Sequence, residues 1–376
     1  MAAPQRIDLR RPRAVTSADV ARRAGVSQAT VSLVLNGMAG RFGLTVSTQD
    51  RVIAAAAALG YTPNHAAQSL RRRRTNCITY VTSDLGNPYV AEVVAAVQLV
   101  AEGRGYIVNV IAAPTEEAAF NIITRLRGGI CDGLLISGGS ARVDAELRHL
   151  AARGLACVLL QDGNGDPTIS CVRADLREGA RIATHHLIML GHRCIAHVAD
   201  VGRYPQSNND RLVGYQEALA EAGIGFDPAL LIEAENGLLG GAEAMRTLMQ
   251  RKAPHPTAVF MYNDRMAAGG LHALRALGLR VPEDIAVVGF DGVALGAFTD
   301  PELTSIVHPR EALGRLAAQT LFDLLDRVQP SQVTQTLPVQ LVVRQSCGAH
   351  LSHSLRNESP NNGSGHGRGN HATEYT

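Results

Sequence analysis

Polar residues, most of them acidic or amide-bearing, directly follow apolar runs at six places in the second part of this sequence. Their carboxylates and amides can grip the hydroxyl or amine groups of a small molecule, because ligands of open α/β proteins bind at the carboxyl ends of strands. Asp and Asn at such positions also cap helices or form turns, so each position by itself has two interpretations. Their recurrence favours a binding site. The six places are Ser83-Asp84, Ser137-Gly138, Gln161-Asp162, Asp200, Asn263-Asp264 and Phe290-Asp291.

The apolar runs that precede these residues predict strands of parallel sheets. The runs are short and almost continuously apolar, and helical patterns such as Arg177 to Leu190 and Asp264 to Leu277 lie between most of them. This alternation is typical of parallel sheets that are covered on both faces. Because roughly 270 residues are too many for one small sheet, we expect two similar α/β lobes. The runs are CITYVTS, YIVNVIA, CDGLLIS, ACVLLQD, CIAHVAD, ALLIEAE, TAVFMYN and IAVVGFD.

Before this part, the pattern changes to short helices. Thr16 and Asp19 have the spacing of a capping box, and Gly25 provides the positive φ that a tight turn needs. Ser27 is expected to cap a second helix that ends near Leu35. Two short helices joined by a glycine-containing turn form a helix-turn-helix, whose second helix can enter the major groove of DNA.

A third predicted helix completes this unit. Ser47 and Asp50 have the spacing of a second capping box, and Gly60 is the expected residue after the last turn. A bundle of three helices that only packs against the rest of the chain is the alternative interpretation.

The distribution of charge favours DNA binding over that alternative. Residues 1–76 contain 12 arginines and three acidic residues, a balance of +9, whereas the rest of the chain has a balance of −7. A basic segment attached to an acidic body indicates that the segment meets a polyanion. The second helix also has the polar residues Gln28 and Ser32 on its exposed face.

These patterns divide the chain into five segments. We expect a disordered basic arm over 1–13, a helix-turn-helix domain over 14–62, a hinge helix and linker over 63–76, a bilobed domain over 77–349 and a disordered tail over 350–376. The tail is rich in Asn, Gly, Ser and His, a composition typical of disorder.

The composition argues against several other classes of protein. No run of about 18 apolar residues is present, so no membrane span is predicted. The amino terminus lacks the apolar stretch of a secretion signal, which a free-standing solute-binding protein would need. Six scattered cysteines without a CxxC pair indicate a cytoplasmic protein without disulfides or zinc. No P-loop, HExxH or GxSxG motif is present, so we predict that the protein is not an enzyme and needs no metal or cofactor.

Several motifs, in order, resemble those of the LacI/GalR (lactose-repressor) family of transcriptional regulators. The segments VTSADVARRAGVSQATVSLVLNG and DRVIAAAAALGYTPNHAAQSLRRRRT match the amino-terminal part of that family. The motifs GHRCIAHVA, DRLVGYQEAL, YNDRMAAG, VVGFDG and LTSIVHP match the rest, and the resemblance extends from about Val15 to Cys347. It implies an all-α helix-turn-helix headpiece followed by a two-lobed α/β domain with parallel sheets, like the periplasmic binding proteins.

The resemblance implies which residues read the DNA bases. Gln28, Ala29 and Leu33 match positions that face base edges, where Gln can pair with adenine and Ala or Leu can contact a thymine methyl. Many relatives have arginine at the position of Leu33, so this chain is not expected to contact guanine there. The loop 38–45 is longer than usual in the family, and Arg41 within it either contacts a phosphate or is solvated.

A hinge helix is implied over the segment TPNHAAQSL. Leu70 matches the residue that enters the minor groove as a wedge and kinks the duplex; the alternative is that it anchors a structural linker. The four arginines that follow it would neutralise phosphates. Together, the implied DNA-binding residues are Thr16, Ser27, Gln28, Ala29, Thr30, Ser32, Leu33, Asn36, Tyr61, Asn64, His65, Ala67, Leu70 and Arg71.

The resemblance also implies an effector site between the lobes. Arg211, Asn263 and Asp291 match positions that contact the effector in the family, and Asp84 and Asp162 match more loosely. Arginine supplies planar donors, and a carboxylate accepts hydrogen bonds from paired hydroxyls. The candidates for a stacking face are Tyr89, Phe298 and Tyr204.

The function implied is that of a homodimeric repressor. It would bind a pseudo-palindromic operator, and a small effector, a sugar or a sugar derivative, would change its affinity for DNA. A ligand-dependent activator or a corepressor-dependent repressor, sensing a nucleoside or another metabolite, is the alternative. We expect the first lobe to comprise about 77–174 and 305–328, and the second about 175–304 and 329–349.

Overall fold

The chain divides into two compact units, Met1–Thr75 and Asn76–Thr376, which we call the head and the body. The computed structural model describes residues 15–62, 74–161, 168–201, 205–251, 255–328 and 333–349. The predicted arm and tail, and most of the predicted hinge segment, lie outside these ranges. None of the helices within them combines the length and the apolar character that a membrane span requires.

The head contains the three predicted helices, α1 (Ser17–Ala24), α2 (Gln28–Leu35) and α3 (Val46–Leu59). A small apolar core joins them. It is formed by one stripe of each helix, in which Val20, Val31 and Val52 are almost completely buried.

Two local signals in the head are confirmed. The Asp19 carboxylate accepts hydrogen bonds from the backbone N–H of Thr16 at 2.9 Å and from its hydroxyl at 2.7 Å, as in a capping box. Ser27 caps α2 by accepting a hydrogen bond from the backbone N–H of Thr30 at 3.1 Å. Between the two helices, Gly25 has φ of 65°, a value that glycine adopts without strain.

The expected cap of the third helix is wrong by two residues. Thr45, not Ser47, precedes α3, and its side chain accepts a hydrogen bond from the backbone N–H of Thr48 at 3.3 Å. Both Thr45 and Ser47 can cap a helix, so sequence alone does not distinguish them. At the other end of α3, Gly60 has φ of 60° and is the predicted terminal residue.

The body alternates strands and helices. Its strands are β1 (Cys77–Thr82), β2 (Ile107–Ala112), β3 (Gly133–Ser137), β4 (Ala156–Leu160), β5 (Ser170–Ala174), β6 (Ile195–Asp200), β7 (Leu231–Ala234), β8 (Ala258–Met261), β9 (Ala286–Asp291), β10 (Thr304–Val307), β11 (Thr334–Leu337) and β12 (Gln340–Val342). Its helices are α4 (Pro88–Gly103), α5 (Glu116–Leu126), α6 (Ala141–Ala152), α7 (Leu176–Met189), α8 (Pro205–Glu221), α9 (Leu238–Gln250), α10 (Asp264–Ala276) and α11 (Arg310–Leu325).

The strands form two six-stranded sheets, one in each lobe. The order in the first lobe is β11-β5-β4-β3-β1-β2, with every pair parallel. The order in the second is β12-β10-β9-β8-β6-β7, in which only the pair of β10 and β12 is antiparallel. The prediction of two similar α/β lobes is therefore confirmed.

All eight predicted strands are present, and four others were not predicted. The missed strands are β5, β10, β11 and β12, each of three to five residues. Most of them have polar residues, as in TQTL and SCVRA, so they lack the continuous apolar run that marked the others. All four lie at or next to a sheet edge: β11 and β12 are edge strands, and β5 and β10 are their neighbours.

The chain crosses between the lobes three times, and two of the expected boundaries are wrong. The first crossing follows β5, as expected. The second follows β10, which belongs to the second sheet, so the return to the first lobe comes after Val307 and not after residue 304. The third lies between β11 and β12, near residues 338–339 and not 328–329, because β11 pairs with β5 of the first sheet.

Glycines allow two helices of the second lobe, α9 and α10, to pack closely. A Cβ atom at Gly269 would lie 1.9 Å from the carbonyl oxygen of Leu238, and one at Gly241 would lie 2.0 Å from that of Met266. Real Cβ atoms do not approach backbone oxygens so closely. The two helices can therefore hold this separation only with glycine at both positions.

We predict that Gly269→Ala lowers the free energy of unfolding by about 1–3 kcal/mol, because the helices must separate and repack. The higher helix propensity of alanine opposes this loss by up to about 1 kcal/mol. Urea unfolding of the full-length protein measures the change. Gly225→Ala, where an added Cβ meets no atom within 4 Å, is the matched control and should leave stability almost unchanged. A Gly269→Ala protein as stable as the wild type would contradict this account of the packing.

Candidate functional site

The second helix of the head presents its first turn to solvent. Gln28 and Ala29 are exposed, whereas Val31 and Val34 face the core. Leu33, on the same helix, is half-buried. The polar groups of the first turn do not take part in the packing of the core. This arrangement leaves one face of α2 available to base edges in a major groove.

Two other predicted DNA-binding residues in the head, Asn36 and Tyr61, have partly structural roles. Asn36 donates from its side-chain amide to the carbonyl oxygen of Ser32 at 2.5 Å and to the Ser32 hydroxyl at 3.1 Å, so it terminates α2. Tyr61 packs part of its ring against the apolar core. In the long loop, a 3-10 turn over Gly40–Phe42 leaves Arg41 exposed.

The body contains a cavity at the carboxyl ends of strands from both sheets. It encloses about 510 Å³ of space between protein atoms, part of it open to solvent. The first lobe contributes residues after β1, β3 and β4, and the second contributes residues after β7, β8, β9 and β10. The lining residues are Asn87, Tyr89, Val90, Ser137, Gly138, Gln161, Leu176, Arg211, Asn236, Tyr262, Asn263, Asp291 and His308.

Arg211 is the central cation of this cavity. It lies on α8 and is 4% exposed. Its guanidinium carbon lies 4.2 Å from the centre of the Tyr262 ring and 4.3 Å from that of Phe290, so the planar group is held between two aromatic faces. Such cation–π contacts stabilise a desolvated guanidinium and orient its N–H donors in the plane between the two rings.

Asp291 is the anion that faces it. One of its oxygens, Oδ1, lies 3.7 Å from Nη2 of Arg211 and 3.6 Å from Nε2 of His308. Both distances exceed a normal hydrogen bond, so Oδ1 of Asp291 lies close to these two nitrogens without a direct hydrogen bond to either. Burial raises the pKa of Asp291 to about 6, although the positive charges of Arg211, Arg310 and Arg265 oppose this shift.

A buried hydrogen-bonded group, which joins Gln161 and Tyr89 of the first lobe to His308 after β10, lines another part of the cavity. The side-chain amide nitrogen of Gln161 donates to the hydroxyl of Tyr89 at 2.7 Å and lies 3.1 Å from Nδ1 of His308. The amide oxygen of Gln161 accepts the backbone N–H of Ala174 at 2.9 Å. Burial and the positive charges of Arg211 and Arg310 lower the pKa of His308 well below its usual value, so its ring is neutral near pH 7.

Two of the non-glycine lining residues have positive φ, namely Gln161 at 70° and Asp291 at 96°. Non-glycine residues adopt this left-handed region at a cost of about 1–3 kcal/mol, and such strain is concentrated at binding sites. Here it directs the two side chains from the ends of β4 and β9 into the cavity.

Two sets of ionic contacts link the lobes beside the cavity. Asp84, after β1, accepts a hydrogen bond from Arg265 on α10 at 2.6 Å. Arg310 bonds to Glu92 on α4 of the first lobe at 2.6 Å and also donates to the backbone oxygen of Asp291 in the second lobe. The contact of Asp84 with Arg265 and that of Arg310 with Asp291 would break if the lobes separated, whereas Arg310 and Glu92 both belong to the first lobe.

Comparison with known proteins identifies this architecture. Residues 16–64 match the bacterial regulatory proteins of the lacI family, and residues 184–347 match a periplasmic binding protein-like domain. The ribose operon repressor of Haemophilus influenzae is 32% identical over 335 residues, which are 88% of this chain and 98% of that protein. The chain belongs to the LacI family. It is a DNA-binding transcriptional regulator, and the predicted fold class is confirmed.

Two solved structures of transcriptional regulators match almost the whole chain. A complex of the transcriptional regulator CelR with cellobiose has 32% identity and a TM-score of 0.67, with 88% of this chain and 99% of that chain covered. A Lac repressor dimer bound to operator and the anti-inducer ONPF has 30% identity and a TM-score of 0.79, with 89% and 99% covered.

The structure brings together four of the seven effector residues that the resemblance to the LacI family implied. These four, which line the cavity, are Tyr89, Arg211, Asn263 and Asp291. Asp84 instead bonds to Arg265 beside the cavity. Phe298 is placed elsewhere, since its side chain is 85% exposed on a 3-10 helix and does not line the cavity. Asp162 lies outside the described residues, as does Tyr204.

Five of the implied DNA-binding residues also lie outside the described ranges. They are Asn64, His65, Ala67, Leu70 and Arg71.

Several cavity residues were not singled out from the sequence. They either were not among the polar positions recognised after predicted strands or follow a strand that was not predicted. These residues are His308, Asn236, Asn87 and Tyr262. His308 was missed because it follows β10. A residue can be recognised as a strand-end residue only if its strand has been predicted.

Asp264, which was recognised, has a structural role. It accepts hydrogen bonds from the backbone N–H of Val293 and from the Ser305 hydroxyl, and burial raises its pKa to about 8.

Proposed function

We propose that the chain is a homodimeric repressor whose affinity for a pseudo-palindromic operator changes when a sugar or sugar derivative binds in the cavity between the lobes. The arrangement of Arg211, held between Tyr262 and Phe290 and facing Asp291, is the observation that carries this proposal. A fixed donor edge and a carboxylate next to it match the paired hydroxyls of a sugar. The similar regulator CelR was solved with cellobiose, which supports the same class of ligand.

Four residues of the cavity have proposed roles in binding the effector. Arg211 donates to effector oxygens, Asp291 accepts from effector hydroxyls, and Asn263 supplies an amide. Tyr89 offers an aromatic edge and a hydroxyl. Asn263 also caps α10 through the backbone N–H of Met266 at 2.9 Å, so its side chain is held in a fixed orientation.

The residues proposed to bind DNA remain those implied by the family resemblance. Gln28, Ala29 and Leu33 read bases, and Leu70 enters the minor groove. This part of the proposal is supported by the exposed first turn of α2 and by the concentration of arginine before residue 76.

We propose that the effector acts by changing the degree of lobe closure. The lobes are connected by three chain crossings and by the contacts of Asp84 with Arg265 and of Arg310 with both lobes. A ligand that prefers one degree of closure shifts the population of that state, and linkage requires an equal shift in operator affinity. A tenfold change needs about 1.4 kcal/mol of differential binding, which a few hydrogen bonds supply.

A thermal-shift screen of the full-length protein against sugars and nucleosides tests the class of effector. We expect one or more sugars to raise the melting temperature, and nucleosides alone doing so would favour the alternative class. Footprinting on an operator selected from random-sequence DNA, with and without the active ligand, then distinguishes an inducer from a corepressor.

We predict that Arg211→Ala weakens binding of the sugar found in that screen at least tenfold, because a hydrogen bond to a charged group contributes about 1.5–3 kcal/mol. Isothermal titration calorimetry measures the affinity. Arg246→Ala, which removes a surface arginine paired only with Glu243 on the same helix, is the matched control. Equal loss in both variants, or none in either, would show that Arg211 does not contact the ligand.

Leu70→Ala should reduce affinity for the selected operator about tenfold, roughly 1.4 kcal/mol, since the proposed wedge loses its apolar side chain. Binding to random-sequence DNA should be unchanged, because phosphate contacts supply that affinity. Electrophoretic mobility shifts with both DNAs measure the difference. If operator affinity is unaltered, Leu70 is not a wedge.

Effector affinity should decrease as the pH is lowered through 6. The pKa of Asp291 is raised to about 6, so its carboxylate is mostly ionised at pH 7 and mostly protonated at pH 5. Because only the ionised form accepts at both oxygens, affinity should fall up to about tenfold over this range. Titration between pH 5 and 8 measures it. Asp291→Asn should bind more weakly at pH 7 and show little change with pH; an unaltered profile in this variant would assign the effect to another group.

A further inference from the structure

His308 has a buried ring nitrogen without a hydrogen-bond partner among the described residues. Its side chain is 1% exposed, and the nitrogen concerned is Nε2. Since His308 lines the cavity, this atom is available to whatever occupies that space. The rings of Tyr89 and Phe290 contact the imidazole edge-on, with centroids 5.2 and 5.1 Å away, and hold it in place.

The hydrogen-bond chain behind His308 determines which ring nitrogen carries the proton. Ala174 donates its backbone N–H to the amide oxygen of Gln161, so the amide of Gln161 cannot be rotated to exchange its oxygen and nitrogen. The Gln161 nitrogen then directs one hydrogen to Tyr89 and the other to Nδ1 of His308. Nδ1 is therefore an acceptor. In a neutral imidazole the other nitrogen must be the donor, so Nε2 carries the hydrogen.

We propose that His308 is a specificity-determining residue that donates through Nε2–H to an effector hydroxyl, which in turn donates to Asp291. This inference rests on the proposed function and extends it, because it specifies the group that occupies the space between these two side chains.

The distances fit a single oxygen atom. Nε2 of His308 and Oδ1 of Asp291 are 3.6 Å apart, which is less than two hydrogen-bond lengths of about 2.8 Å, so one oxygen can reach both. Nη2 of Arg211 lies 3.7 Å from the same Oδ1 and provides a second donor. These groups thus offer donors and an anionic acceptor around one point.

This combination selects a hydroxyl over other groups. An ammonium would face the hydrogens of His308 and Arg211, and a carboxylate or phosphate would face the anion Asp291. A carbonyl oxygen would accept from the donors but give Asp291 no hydrogen. A hydroxyl both accepts and donates, and so meets every requirement.

The protonation state can be measured without any effector. We would label histidines of the full-length protein with ¹⁵N, record long-range proton–nitrogen correlations, and assign signals with His308→Gln and His197→Gln. We expect a neutral His308 with its proton on Nε2. His197 is the internal control: its Nδ1 lies 3.1 Å from the carbonyl oxygen of Phe260, which only accepts, so its proton should be on Nδ1. A proton on Nδ1 of His308, or a charged ring at pH 7, would overturn the inference.

The contact with a hydroxyl is tested with D-ribose, D-glucose and D-galactose and their single-deoxy analogues. For a sugar that binds, we expect His308→Phe to reduce affinity about tenfold and His308→Gln, which retains a donor, to restore most of it. One deoxy analogue lacks the contacted hydroxyl. For this analogue, His308→Phe should cause no further loss of affinity. His149→Gln, an exposed histidine of the first lobe, is the control for labelling and substitution.

The outcomes separate this inference from the proposed function. If His308→Phe weakens every deoxy analogue by the same factor, and His308→Gln restores nothing, then His308 only fills space and the inference is wrong, although the sugar specificity stands. If no sugar binds the wild-type protein, the proposed effector class is wrong, and with it the hydroxyl contact inferred for His308.

Discussion

A buried guanidinium next to a buried carboxylate is the constraint on which the cavity depends. Removing Arg211 and Asp291 from water is costly unless other groups compensate. The aromatic rings of Tyr262 and Phe290 stabilise the cation, yet the ions remain 3.7 Å apart. A hydroxyl beside both groups can accept from Arg211 and donate to Asp291, so a ligand of that chemistry would offset part of this cost.

The same constraint explains why the cavity can respond to ligand binding. Its lining comes from both lobes, and Asp291 is held from the first lobe by Arg310, whose side chain also pairs with Glu92. Any ligand that bridges Arg211 and the Gln161–His308 group therefore contacts both sides of the cleft. Three crossings of the chain connect the lobes covalently. They do not fix the separation of the cavity walls, which therefore depends on such contacts.

A polar residue after a strand can form a cap or a turn and also lie at the cavity or across the cleft. Asn263 caps α10 and also lines the cavity, whereas Asp264, next to it, only ties neighbouring loops together. Asp84 makes a turn through the backbone N–H of Gly86 and an ion pair across the cleft. A polar residue after a strand thus indicates the correct edge of the sheet, but it does not indicate which of the residues there line the cavity.

The sequence by itself determined the two-part organisation, the helix-turn-helix and the eight most apolar strands, and its resemblance to the LacI family indicated Arg211 and Asp291. These follow from local patterns: capping residues, glycine turns, apolar periodicity and ordered motifs. Only the tertiary structure placed Phe298 at the surface, assigned β10 and β11 to their sheets, and brought His308 to Gln161 and Asp291. The physical reason is that short, polar strands obtain their pairing from distant partners, and the environment of a side chain depends on which strands those partners bring beside it.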